Sequence, residues 1–176
     1  MSAIQREIRT LVEIEDLETQ VSAAVKRSVK VLSDVLNGAS ELDAFAKLKF
    51  EQTGHHPLEE RTLNLFEQIN QTFTYLASLR AARWIFVHHP DAGILHLNLG
   101  TAAGSDIEAL DGSLAAETFA SVDPRNNNKL QSDVRKVAQT LAKHKYVFFL
   151  CPKHPAAIPV LTKYNQHVWV VSLGWP

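Results

Sequence analysis

The spacing of hydrophobic residues changes from helical to strand-like at "VHHPDAG" (87–93), and that change fixes the fold class. Before it, apolar residues recur three and four apart over long stretches, the period of an amphipathic helix. After it they alternate, or run together in short segments bounded by turn residues, as strands do. Such a chain folds as helices followed by a sheet with further helices laid on it, an α/β architecture.

The first half divides further. Apolar positions from Ile4 and Ile8 through Leu17 and Val29 to Leu36 spell one long helix, stopped by Asn37-Gly38. Ser40 with Asp43 three residues on suits the start of a second helix ending near Thr53. Past "TGHHP", Pro57 in a first turn followed by Glu59 and Glu60 opens a third helix, running to Phe86 with Leu65, Ile69, Phe73 and Leu79 inward. Residues 1–53 are therefore expected as an N-terminal helical extension and 54–176 as the α/β domain. The apolar stripe of the extension must be covered, either by the core or by a second copy in a homodimer.

In the second half, "ILHLNLG", "SDIEALDG" and "SLAAETFASV" read as an antiparallel meander, its second turn made by Asp111-Gly112. "KLQSDVRKVAQTLAKH" reads as a helix with Leu130, Val134, Val137 and Leu141 on one face. "YVFFLC" follows as a fully buried strand, "PAAIPVLTKYNQ" as a short helix broken by Pro159, and "HVWVVSLGW" as a last strand.

Charge separates along the chain in the same way. From Pro124 to Pro176 there are eight Lys or Arg and one acid, Asp133, hence +7; with −1 overall, the first 123 residues carry −8. A basic segment of this kind suits a polyanion, and Arg125, Lys129, Arg135 and Lys136 are the candidate phosphate contacts. No apolar run reaches the roughly 20 residues needed to span a bilayer, and the charged start does not read as a signal peptide, so no membrane partner and a cytoplasmic location are expected. The single Cys151 excludes an intramolecular disulfide.

Four acids, Asp106, Glu108, Asp111 and Glu117, fall in the meander with no Lys or Arg among them. Alternate strand residues share a face, so pairing through the Asp111-Gly112 turn can bring Asp106 and Glu117 to the same end of one face. Two carboxylates held close repel, and a proton or a cation relieves them. Mg²⁺ or Mn²⁺ suits oxygen ligands of this kind. Asp111 is better used as the turn residue.

The order helix, three-stranded meander, helix, strand, with an acid at the start of the second strand and another on the third, resembles the core of the PD-(D/E)XK nuclease superfamily, the restriction-endonuclease-like fold. The resemblance covers Pro57 to about Cys151. It implies a metal-dependent endonuclease hydrolysing phosphodiester bonds in DNA, with Asp106 and Glu117 as the ligands of Mg²⁺ and Glu67 on the preceding helix as the auxiliary acid. The family lysine two residues after the second acid is Phe119 here. Some members carry that basic group on the next helix, which makes Lys129 its substitute, with Arg125 and Gln131 behind it. The other implication of Phe119 is a fold kept without catalysis, as a nucleic-acid-binding or protein-interaction module.

The paired histidines His55-His56 and His88-His89, with Cys151 and His154, lack the second pair that a structural zinc site needs and read as loop residues. "GTAAG" lacks the Lys-Ser/Thr of a phosphate loop. Cys151 ends an apolar strand, where an inert buried thiol is expected.

Overall fold

A computed structural model describes residues 4–100, 103–154, 162–164 and 167–174. In chain order the elements are β1 (Gln5–Ile8), α1 (Leu11–Gly38), α2 (Glu41–Phe50), β2 (Gly54–His55), β3 (Thr62–Leu63), α3 (Leu65–His88), β4 (Leu95–Asn98), β5 (Ile107–Ala109) and β6 (Leu114–Ala120). A 3-10 turn (Asn126–Asn128) then leads into α4 (Lys129–Ala138), β7 (His144–Leu150), β8 (Thr162–Tyr164) and β9 (Val168–Ser172). The chain is thus mixed α/β. It divides into two compact units, residues 1–14 with 77–176, and residues 15–76. Neither boundary coincides with the break after residue 53 that the sequence suggests.

The first unit is built on a seven-stranded sheet in the order β1-β4-β5-β6-β7-β9-β8. Strands β4, β5 and β6 form the antiparallel meander, and β7 pairs parallel to both β6 and β9. The parallel pairings explain why β7 reads as an unbroken apolar run: Tyr146 to Leu150 are all buried, since both faces of the strand are covered. On one face lies α4, whose Val134 and Val137 join Ala115, Phe119, Val147 and Phe149 in a common cluster. On the other lies α3 from Ala77 onward, with Trp84 against Tyr146 and Phe148. The hairpin between β5 and β6 turns at Gly112, whose φ of 73° explains the glycine, while Ser113 N donates to Asp111 Oδ1 at 2.9 Å.

Four elements differ from expectation. Residues 5–8 form the edge strand β1 on β4 instead of the first turn of a helix, and Leu99 N donates to Ile4 O. Ile4 and Ile8 are both buried, and a spacing of four puts residues on one face of a helix and of a strand alike. The helix starts instead at Thr10, which forms a reciprocal cap with Glu13: Glu13 N donates to Thr10 Oγ1, and Thr10 N to Glu13 Oε2. The third helix begins at Leu65, not Pro57, because Asn64 accepts Glu67 N at 2.9 Å and caps it there. The last helix before β7 stops at Ala138, where Thr140 turns back onto the Val137 carbonyl, and Leu141 is fully exposed. Finally, the expected helix around Pro159 falls mostly outside the described residues; within it, 162–164 are strand β8.

In the second unit, Ala24 and Ser28 of α1 and Gln68 of α3 lie round the short β2–β3 hairpin. Gln68 Oε1 accepts from His55 N at 2.8 Å and its Nε2 donates to Ala24 O. Gly54 is required at this point, since a Cβ would lie 2.5 Å from that Gln68 oxygen. Ser40 precedes α2 with its hydroxyl donating to Asp43 at 2.6 Å.

Candidate active site

The site grows out of the meander register. Ile107 faces Ala116 and Glu108 faces Ala115 across β5 and β6, so one residue further Asp106 lies opposite Glu117. Directly opposed residues of an antiparallel pair share a face, and the two carboxylates are neighbours. Asp106 is held by the residue after Glu117: its Oδ2 accepts from Thr118 N at 2.7 Å and from Thr118 Oγ1 at 3.2 Å. Since the Thr118 hydroxyl proton is directed at Asp106, Ser78 of α3 is the donor in the 2.8 Å contact between Ser78 Oγ and Thr118 Oγ1. The chain Ser78, Thr118, Asp106 thus anchors one carboxylate through the sheet.

Glu117 is only 2% exposed. Its Oε2 accepts from Lys136 Nζ of α4 at 2.8 Å, whereas Oε1 is buried with no hydrogen-bond partner among the described residues. Burial and then the charge of Asp106 push its pKa up to about 7, against the pull of Lys136. Asp133, one turn before Lys136, repeats the arrangement. It is buried, its Oδ1 accepts from Lys129 Nζ at 2.7 Å, and Oδ2 has no partner among the described residues. Burial raises the Asp133 pKa, with Lys129 opposing. Burial pulls the Lys136 ammonium down, but the Glu117 bond and the charges of Glu117, Asp106 and Asp133 outweigh it, and its pKa is raised.

Phe119, at the position of the family lysine, is a core residue stacked on Phe149. The ammonium of Lys129 lies 5.9 Å from the centre of its ring. Two ammonium groups from α4 therefore stand at this end of the meander, Lys129 as the sequence suggests and Lys136, which it offers only as a phosphate contact.

The remaining candidates have other surroundings. Glu67 is exposed in the first turn of α3 and belongs to the other compact unit. Arg125 bonds Asp123 rather than facing the acids, and Arg135 is exposed on α4. Glu108 accepts from Ser105 N and supports the loop before β5. Cys151 is buried with its Sγ against Val122 O. His89 bonds the Tyr146 hydroxyl, and the ring of His56 accepts from Leu58 N.

Sequence reasoning passed over Thr118 and Asp133. A signal for Asp133 existed, for it is the one acid among eight basic residues in the last 53 positions, and it shares a helix face with Lys129 and Lys136. Among the described residues no three His, Cys, Asp or Glu side chains are gathered so as to hold a metal by themselves. The donors at Asp106 and Glu117 are nonetheless oxygen only, one of them buried and unpartnered, which fits Mg²⁺ or Mn²⁺ completed by water and phosphate oxygens. Comparisons with protein-family models, with curated proteins and with solved structures find no match to this chain.

Proposed function

We propose that this protein is a metal-dependent nuclease of the restriction-endonuclease-like type, hydrolysing phosphodiester bonds in DNA. The observation that carries the reading is the buried Glu117 beside Asp106 with the Lys136 ammonium 2.8 Å from its carboxylate. That is a pair of acids and a basic group at one point, supplied from three elements. The strand order supports it as well, since an antiparallel meander followed by a parallel fourth strand across a helix is the arrangement expected of that core.

Asp106 and Glu117 would hold Mg²⁺ or Mn²⁺, which when bound polarises a phosphoryl oxygen and lowers the pKa of its water. The protein's own contribution is to position and to neutralise. Thr118 fixes the Asp106 carboxylate with two donors, leaving its other oxygen for a ligand. Lys136 and Lys129, each about half exposed at the side chain, can turn from the acids toward a phosphate. Arg125 and Arg135 extend the basic surface for DNA. Glu67, which the resemblance implies as an auxiliary acid, takes no part in these steps.

The Glu117–Lys136 pair also favours a second reading, because an acid already neutralised needs no metal. On that reading the protein binds nucleic acid without cutting it. Purified protein with Mn²⁺ or Mg²⁺ and DNA decides between them. The nuclease reading predicts cleavage that Glu117→Ala abolishes while DNA binding persists. Binding without cleavage under either cation would leave the second reading.

A further inference from the structure

The proposed site uses two carboxylates, Asp106 half-buried and Glu117 buried, yet a third, buried one feels the charge of Asp106 as Glu117 does. Asp133 is 3% exposed, projects from the same face of α4 as Lys136, and keeps Oδ2 without a partner, just as Glu117 keeps Oε1. Two unpartnered carboxylate oxygens in the interior are costly unless something else uses them. When all three are ionised, Asp106, Glu117 and Asp133 carry one negative charge more than Lys129 and Lys136 offset, an excess that a proton or a cation relieves. Exposure differs sharply across the pairs, since the side chains of Glu117 and Asp133 are 2% and 4% exposed but those of Lys136 and Lys129 are 50% and 49%. The acids are buried, whereas the ammonium ends reach solvent and can leave.

We infer that Asp133 belongs to the Asp106–Glu117 site as its third carboxylate, and that Lys129 and Lys136 are resident counter-ions which an entering divalent cation displaces. This rests on the proposed cation site but not on nuclease activity. Among the described residues no three acids are gathered as a metal site while Lys136 and Lys129 sit on Glu117 and Asp133, so on entry of a cation the carboxylates must draw together as the ammonium groups leave. The exchange is purely ionic. One dication enters, and the ammonium groups swing to solvent, or to the phosphate oxygens of a nucleic acid when one is present. Lys129 thereby acquires a role opposite to that of an ordinary ligand, because it competes with the metal.

The test is the affinity of the intact protein for Mn²⁺ alone, by calorimetry or by electron paramagnetic resonance of free Mn²⁺, with thermal melting to confirm folding. Asp133→Asn is expected to weaken binding about tenfold or more. Lys129→Gln is expected to tighten it, and serves as the deciding variant if Asp133→Asn does not fold. Wild type that binds Mn²⁺ with an affinity neither variant changes would overturn the inference and leave the two-carboxylate site standing. Both shifts in the expected directions without DNA cleavage would uphold the inference and remove the nuclease reading. No Mn²⁺ binding by wild type would end both.

Discussion

Glu117 is the residue on which most depends. Its pKa of about 7 lies above the ordinary 4.5, so between those values the folded protein holds a proton that the unfolded chain has released. Stability from this group is therefore full at low pH and is lost as pH rises toward 7, by roughly 3 kcal/mol at most. Denaturant melts from pH 4.5 to 7.5 should show wild type losing stability relative to Glu117→Gln; parallel curves would show that the carboxyl titrates normally. Thr118 is the second test at this scale. Thr118→Val removes one of two donors to Asp106 and should weaken Mn²⁺ affinity several-fold, and Thr118→Ser should restore it. The Asp106 and Glu117 neighbourhood was legible in the sequence, because strand alternation and the Asp-Gly turn fix it within one hairpin. The partnership of Glu117 with Lys136 was not. It depends on how α4 is rotated over the sheet, which the packing of Val134 and Val137 on Ala115 and Phe119 of β6 and on Val147 and Phe149 of β7 sets, and no local pattern in α4 states that rotation.

Among the elements, those whose signals are local were legible and those set by neighbours were not. The meander, β7 and β9 each carry their own period. Strand β1 does not, since Ile4 and Ile8 suit either structure, and it is β4 that supplies the partner for its backbone. The start of α1 instead rests on Thr10 and Glu13, a pattern present in the sequence but hidden by the longer hydrophobic repeat. Thr10→Ala should lower stability by about 1 kcal/mol in chemical denaturation through loss of that cap; an unchanged midpoint would show the cap contributes nothing. The hairpin turn offers a parallel check. With φ of 73° at Gly112, Gly112→Ala forces a left-handed side-chain-bearing residue and should cost about 1–2 kcal/mol.

At the scale of the whole chain, the sequence shows where charge lies but not which charges are free. Of the basic residues in the last 53 positions, Arg125 and Lys153 bond Asp123, Lys145 donates to Ala138 O, and Lys129 and Lys136 sit on buried acids. The surface offered to a polyanion in the metal-free protein is thus smaller than the +7 count suggests. It should grow when a divalent cation releases the two α4 lysines, so DNA affinity should be salt-dependent and stronger with Ca²⁺ than with a chelator. Among the described residues no helix is long and apolar enough to cross a membrane. On the proposed function, Asp106 and Glu117 form a catalytic cation site. Its most direct test is cleavage of DNA by wild type and by Asp106→Asn, side by side, at Mn²⁺ concentrations spanning the measured affinity. Wild type is expected to cut in proportion to site occupancy, and Asp106→Asn not at all at any concentration despite retained DNA binding. Equal cutting by the two proteins would contradict this, as would a wild type that binds Mn²⁺ and DNA together and leaves the DNA intact.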